Sequence, residues 1–159
     1  MIRTLTAASI LLAGGVAAQA GAVPPIEVQY DEYGAVAQSL TGVPGNPEEG
    51  AKVMTTRGLG NCIACHEVTA LSEYPFHGNV GPSLDGVADR WTEAELRGIV
   101  ADAKKTFPDT VMISFYKDRG FIRPGIGFTG KPAEEPLEPL LTAQQIEDVV
   151  AFLMTLKEE

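Results

Sequence analysis

The residues best placed to do chemistry stand together as Cys62-Ile63-Ala64-Cys65-His66. Cys-x-x-Cys-His is the signature of covalent c-type haem attachment, in which each thiol forms a thioether to a haem vinyl group and the adjacent imidazole ligates the iron. The expected cofactor is one covalently attached haem c, with His66 as the first axial ligand. Two other chemistries use paired cysteines. A structural zinc ion needs four ligands, yet the chain holds only Cys62, Cys65, His66 and His77, and the neighbours Cys65 and His66 are poorly placed to share one tetrahedral ion. A thioredoxin-like dithiol expects a βαβ surround, and the flanking residues are not strand-like.

The second axial position decides what such an iron does. A closed six-coordinate iron transfers electrons, whereas an open one binds or activates small molecules. Met54, His77, Met112 and Met154 are the candidates. Met112 is favoured, because it lies in the irregular segment Phe107 to Tyr116, late enough to wrap over the opposite haem face. His77 is the competitor, but it follows His66 by only 11 residues, in a Tyr-Pro-Phe-His-Gly-Asn loop that fits a solvated or hydrogen-bonded surface histidine. Thioether ligation raises the reduction potential relative to imidazole, so a Met112-ligated iron is expected to be a relatively high-potential carrier. Arg90 and Tyr116 are candidates for holding a haem carboxylate.

Helices must position these groups. Asn46 is a good N-cap, with Pro47 at the first helical position and Glu48 and Glu49 favourable to the dipole; this helix is expected to run to Gly58. Met54 falls on its apolar face and reads as core. The haem motif starts a short helix directly afterwards. Thr92-Glu93-Ala94-Glu95 has the capping-box form, followed by Leu96, Ile99, Val100 and Ala103 on one face, with Lys104 and Lys105 in the last turn. Thr142-Ala143-Gln144-Gln145 repeats the signature ahead of Ile146, Val149, Val150, Leu153 and Leu156, in a helix expected to reach Lys157 with Met154 packing. Residues 106 to 140 are rich in Pro and Gly, and Gly120 to Gly130 and Pro132 to Pro139 read as surface excursions. No strand is evident.

At the N-terminus, Arg3, the apolar run Ala8 to Ala18 and Ala18-Gln19-Ala20 have the form of a secretory signal peptide over 1–20. Its apolar stretch is well short of the ~20 residues that span a bilayer. A mature chain starting near Gly21 is expected in the periplasm with no membrane span, where haem attachment takes place. Residues 21–45 form an N-terminal extension, too rich in apolar and aromatic residues for a solvated linker, and expected to pack on its own domain or on a partner. The net charge of −9 argues against nucleic acid and anionic membrane surfaces as partners.

Taken together, the leading helix, the Cys62-to-His66 motif, Gly81-Pro82-Ser83-Leu84, the Met112 loop and the C-terminal amphipathic helix resemble the class I c-type cytochromes, from about Asn46 to the C-terminus. The resemblance implies an all-α fold: a small helical cytochrome c domain over 46–159, wrapped around one covalently bound haem, with long Pro/Gly loops. It also implies that the Pro82 carbonyl accepts a hydrogen bond from the proximal His66. Three separated segments, Gly81 to Trp91, Phe107 to Met112 and Leu141 to Val150, are similar to the SoxX family of monohaem subunits of SoxAX thiosulfate-oxidising complexes. One departure is Ile113, which stands where proline often follows the axial methionine.

The narrower resemblance implies a heterodimer with a SoxA-like cytochrome. That complex, an L-cysteine S-thiosulfotransferase, couples thiosulfate oxidatively to a cysteine of a carrier protein on its SoxA subunit. The SoxX subunit passes the electrons to a soluble acceptor cytochrome. No catalysis by this chain alone is expected, since both cysteines are committed to haem and only His77 is a spare base. Two other function classes stay open: a free-standing electron shuttle, and a haem enzyme with an open iron, for which distal acid and base groups beyond His77 are missing.

Overall fold

A computed structural model describes residues 21–121, 130–131 and 133–158. The signal-peptide reading of 1–20 and most of the Gly120 to Gly130 excursion, together with Pro132, lie outside the described residues. Four α-helices are present among them: α1 (Pro47–Thr55), α2 (Val87–Arg90), α3 (Glu93–Asp102) and α4 (Ala143–Leu153). Short 3-10 turns at Pro25–Glu27, Cys62–Ala64, Thr69–Leu71 and Ala103–Lys105 join irregular chain, and the described residues contain no strand.

The helix starts follow from local chemistry. The Asn46 side chain accepts from the backbone N–H groups of Glu48 and Glu49. Thr92 and Thr142 form complete capping boxes with Glu95 and Gln145, and each such cap stabilises its helix by about 1 kcal/mol. The helix ends differ from the sequence pattern. α1 stops at Thr55, short of Gly58, because the hydroxyls of Thr55 and Thr56 bond back to the carbonyls of Ala51 and Lys52 and satisfy the last turn. α4 stops at Leu153, where Thr155 closes on the Phe152 carbonyl. α3 tightens into the 3-10 turn Ala103–Lys105 once Asp102 accepts from the Lys104 N–H.

α4 is the spine of the core. Its Ile146, Val149, Val150 and Leu153 are buried and meet Val53 and Met54 of α1 and Leu96 and Val100 of α3. Gly50 allows α1 to lie directly on α4, since a Cβ there would collide with the Asp148 carbonyl. Met54 is fully buried, and Met154 is half-buried against the same cluster.

Residues 23–40 pack on their own domain. Val28, Val36 and Leu40 enter the core, and the Val36 N–H donates to the Ala94 carbonyl. A buried ion pair locks this segment down. Arg97 Nε reaches both oxygens of Glu147 at 3.0 and 3.1 Å, Arg97 also donates to the Val36 carbonyl and to Glu93, and Glu147 accepts from the Leu40 N–H at 2.6 Å.

Candidate haem-attachment site

Asn61, in the left-handed region at φ 46°, turns the chain out of the α1 connection and into the 3-10 turn Cys62–Ala64. The N–H groups of Cys65 and His66 both donate to the Cys62 carbonyl, at 3.1 and 3.0 Å. One turn thus carries both sulfurs and the imidazole. Ile63 between them is buried and anchors the turn in the core, while Cys65 faces outward. Burial pushes the Cys62 thiol up to about 12. No cluster of three or more His, Cys, Asp or Glu suited to a metal ion occurs among the described residues.

The His66 ring is fixed from two sides. Its Nδ1 lies 2.7 Å from the Pro82 carbonyl, which assigns the proton to Nδ1 and leaves Nε2 as the nitrogen with a free lone pair. Gly81 passes over the ring so closely that a Cβ there would collide with Cε1 of the imidazole. The segment bearing Gly81 and Pro82 is itself tied back to the motif: Gly81 N–H donates to the Cys65 carbonyl at 2.8 Å and Leu84 N–H to the Glu67 carbonyl at 2.9 Å. Asp85 accepts from the Thr69 N–H and hydroxyl at 2.9 and 2.6 Å. These two Thr69 bonds, the hydroxyl's foremost, hold the Asp85 carboxyl below the usual carboxylate range. Two thiols on one turn, beside an imidazole locked in its Nδ1-protonated form, are the donor set that a covalently held haem requires, and the residues fit that group.

Of the solvated or hydrogen-bonded histidine expected at His77, the structure shows the hydrogen-bonded form. It is half-buried beside the motif: Nδ1 accepts from the Val68 N–H at 3.2 Å, Nε2 is buried without a partner among the described residues, and the next residue, Gly78, donates to the Ile63 carbonyl. Its Nδ1 lone pair is thus engaged, and its backbone is tied through Gly78 to the Cys62–His66 turn. Tyr116 and Arg90 are engaged with backbone. The Tyr116 hydroxyl donates its one proton to the Val23 carbonyl, whereas exposed Arg90 donates to the carbonyls of Asp85 and Ser83 through only two of its five N–H groups.

Met112 is half-buried against the core between exposed Val111 and Ile113. The segment is held by the end of α3 and the turn beyond it. Lys104 Nζ donates to the Met112 carbonyl at 2.6 Å, the Met112 N–H donates to Thr110 Oγ1, and the Ser114 hydroxyl reaches Asp102 at 2.5 Å. No hydrogen bond among the described residues joins Met112 to the Cys62–His66 turn. Sequence reasoning from residue types missed Gly81, Asp85 and Lys104 as parts of this site. A glycine ahead of proline was the one available signal, for Gly81.

Comparison with known proteins agrees with this geometry. The cytochrome c family model matches residues 47–157. A chain of a solved structure described as SoxXA from P. pantotrophus is 64% identical, with a TM-score of 0.82, over 86% of this chain and 99% of that one. Among curated proteins nothing matches.

Proposed function

The chain belongs to the cytochrome c family, among its SoxX members, and on that premise we propose that it is the electron outlet of a periplasmic two-subunit cytochrome that couples thiosulfate to a carrier-protein cysteine. The observation that carries the reading is the locked His66, with Nδ1 on the Pro82 carbonyl, Nε2 free, and Cys62 and Cys65 on the same turn. Cys62 and Cys65 would hold the haem through thioethers, His66 would supply an iron-ligating nitrogen, and Met112 an iron-ligating sulfur. The haem supplies a one-electron couple.

Every other part of the work is done by the chain. The Pro82 carbonyl keeps His66 in one tautomer and, by accepting a hydrogen bond from Nδ1–H, raises the basicity of Nε2. Gly81 and the Thr69–Asp85 tether stop the ring from rotating, so that little geometry changes when the charge of the site changes. Buried Ile63, Val68 and Leu71 exclude water behind the motif, and a drier site favours the form of lower charge. With both thiols committed to thioethers, no cysteine remains to carry a sulfane group; bond-making to thiosulfate falls to the larger SoxA-like subunit, and a soluble cytochrome takes the electrons. The leader read over 1–20 supports the periplasm, and no described helix is long and apolar enough to cross a membrane.

The test is the absorption spectrum of the ferric holoprotein, together with co-purification from the native source. The weak far-red band of methionine sulfur on ferric haem is expected, along with its loss in Met112→Ala. A second, larger haem subunit is expected to co-purify with the chain. Haem without the far-red band would overturn the closed electron-transfer site, and purification as a lone monohaem protein would favour a free-standing shuttle.

A further inference from the structure

The segment that carries Met112 has no regular secondary structure: residues 111–114 lie outside any helix, and Ile113 follows where a proline would have stiffened the chain. Two side chains fix its backbone instead, one on each side of Met112. Thr110 Oγ1 receives the Met112 N–H at 3.2 Å, and Lys104 Nζ donates to the Met112 carbonyl at 2.6 Å. Lys104 is anchored in turn, because its own N–H donates to Asp102 Oδ1, and the same oxygen accepts from the Ser114 hydroxyl, which ties this turn to the chain just beyond Met112.

The geometry points to Lys104 as a positioning residue for the sixth ligand: its ammonium grips the Met112 carbonyl and so holds the thioether against displacement from the iron. This inference rests on Met112 being that ligand. The physical case has two parts. A charge-assisted hydrogen bond is stronger than a neutral one and is directed at the backbone of the ligand residue itself. In an irregular segment, moreover, the backbone entropy released when such a bond is lost falls directly on the ligand. Lys105, the next residue, carries the same charge but points elsewhere, over the Tyr30 ring at 5.5 Å, so it serves as a control that separates the hydrogen bond from the through-space effect of a cation.

The experiment uses full-length holoprotein in four forms: wild type, Lys104→Met, Lys104→Arg and Lys105→Met. It reads the far-red band, the midpoint potential and the affinity of free imidazole for the ferric iron. Lys104→Met is expected to bind imidazole between about threefold and tenfold more tightly, because the entering ligand displaces a less firmly held sulfur. Lys104→Arg is expected to restore the wild-type affinity to within about twofold, since a guanidinium keeps both charge and donor. Lys105→Met is expected to lower the potential as Lys104→Met does while leaving imidazole affinity unchanged. Equal imidazole affinities in wild type and Lys104→Met, with a far-red band that disappears in Met112→Ala, overturn the role of Lys104 and leave Met112 as the ligand. A wild-type protein lacking the band removes the Met112 assignment and the Lys104 inference together.

Discussion

At His66 the two ring nitrogens have separate tasks, and the neighbouring chain enforces the division. Nδ1 is held at 2.7 Å by the Pro82 carbonyl, and Gly81 leaves no room for the ring to swing. Gly81→Ala is therefore expected to push the imidazole off this carbonyl. The yield of holoprotein with a normal far-red band should fall several-fold, measured as haem content per protein; an unchanged spectrum would mean that the backbone moves aside at no cost. Asp85 acts on the same residue at one remove. Its carboxyl is held below the ordinary value by the Thr69 hydroxyl and N–H, so the stability it contributes is complete above the unfolded carboxylate value of about 3.9 and is lost as pH falls through the lower folded value. Asp85→Ala should cost about 1 kcal/mol at neutral pH. The gap from wild type should close in acid below about pH 3.9, read by urea unfolding across the pH range. The Cys62-to-His66 turn was legible in sequence because its chemistry is local, spanning one turn of chain. The Thr69–Asp85 and Lys104–Met112 contacts join residues eight to sixteen positions apart across irregular chain, and no residue pattern announces them.

Among the helices, starts were easier to read than stops. Asn46, Thr92 and Thr142 cap as their side chains require, because an N-cap is decided by one residue and the N–H groups just after it. The ends shifted where hydroxyls of Thr55, Thr56 and Thr155 competed for the last carbonyls. α2 was missed, being a single turn whose position depends on Leu156 receiving the Ala88 N–H. A tie between α3 and α4 was also invisible: no residue pattern joins Arg97 to Glu147, yet both are 4% exposed and paired. Such a pair adds little net stability over a well-packed apolar pair, but half of it is costly to leave behind. Arg97→Met is expected to destabilise the fold by about 3–5 kcal/mol, and Arg97→Met/Glu147→Leu by less than that single change, by chemical unfolding. A single variant as stable as wild type would mean that water reaches the pair.

For the molecule as a whole, the question is whether the extension over residues 21–45 is a leader to the domain or part of it. The sequence of this stretch reads as an extension because it lacks helical periodicity, but burial does not require periodicity. Val28, Val36 and Leu40 are each under a tenth exposed, and burying three such side chains stabilises the fold by roughly 5–9 kcal/mol. That is comparable with the entire net stability of about 5–15 kcal/mol of an ordinary domain. Removal of the segment would also strip the Val36 carbonyl from Arg97 and the Leu40 N–H from Glu147, turning a satisfied buried pair into one with unmet hydrogen bonds. The hydroxyl of Tyr116, four residues beyond Met112, would lose the Val23 carbonyl, so the damage extends from the core toward the methionine loop. A chain beginning at Gly42 should consequently show no cooperative thermal transition near that of the longer chain, together with a weakened far-red band, by circular dichroism and absorption of the purified holoproteins. An undiminished Tm would instead mean that the helices and their haem hold the fold without the segment, and that its burial follows from their assembly rather than helping to cause it.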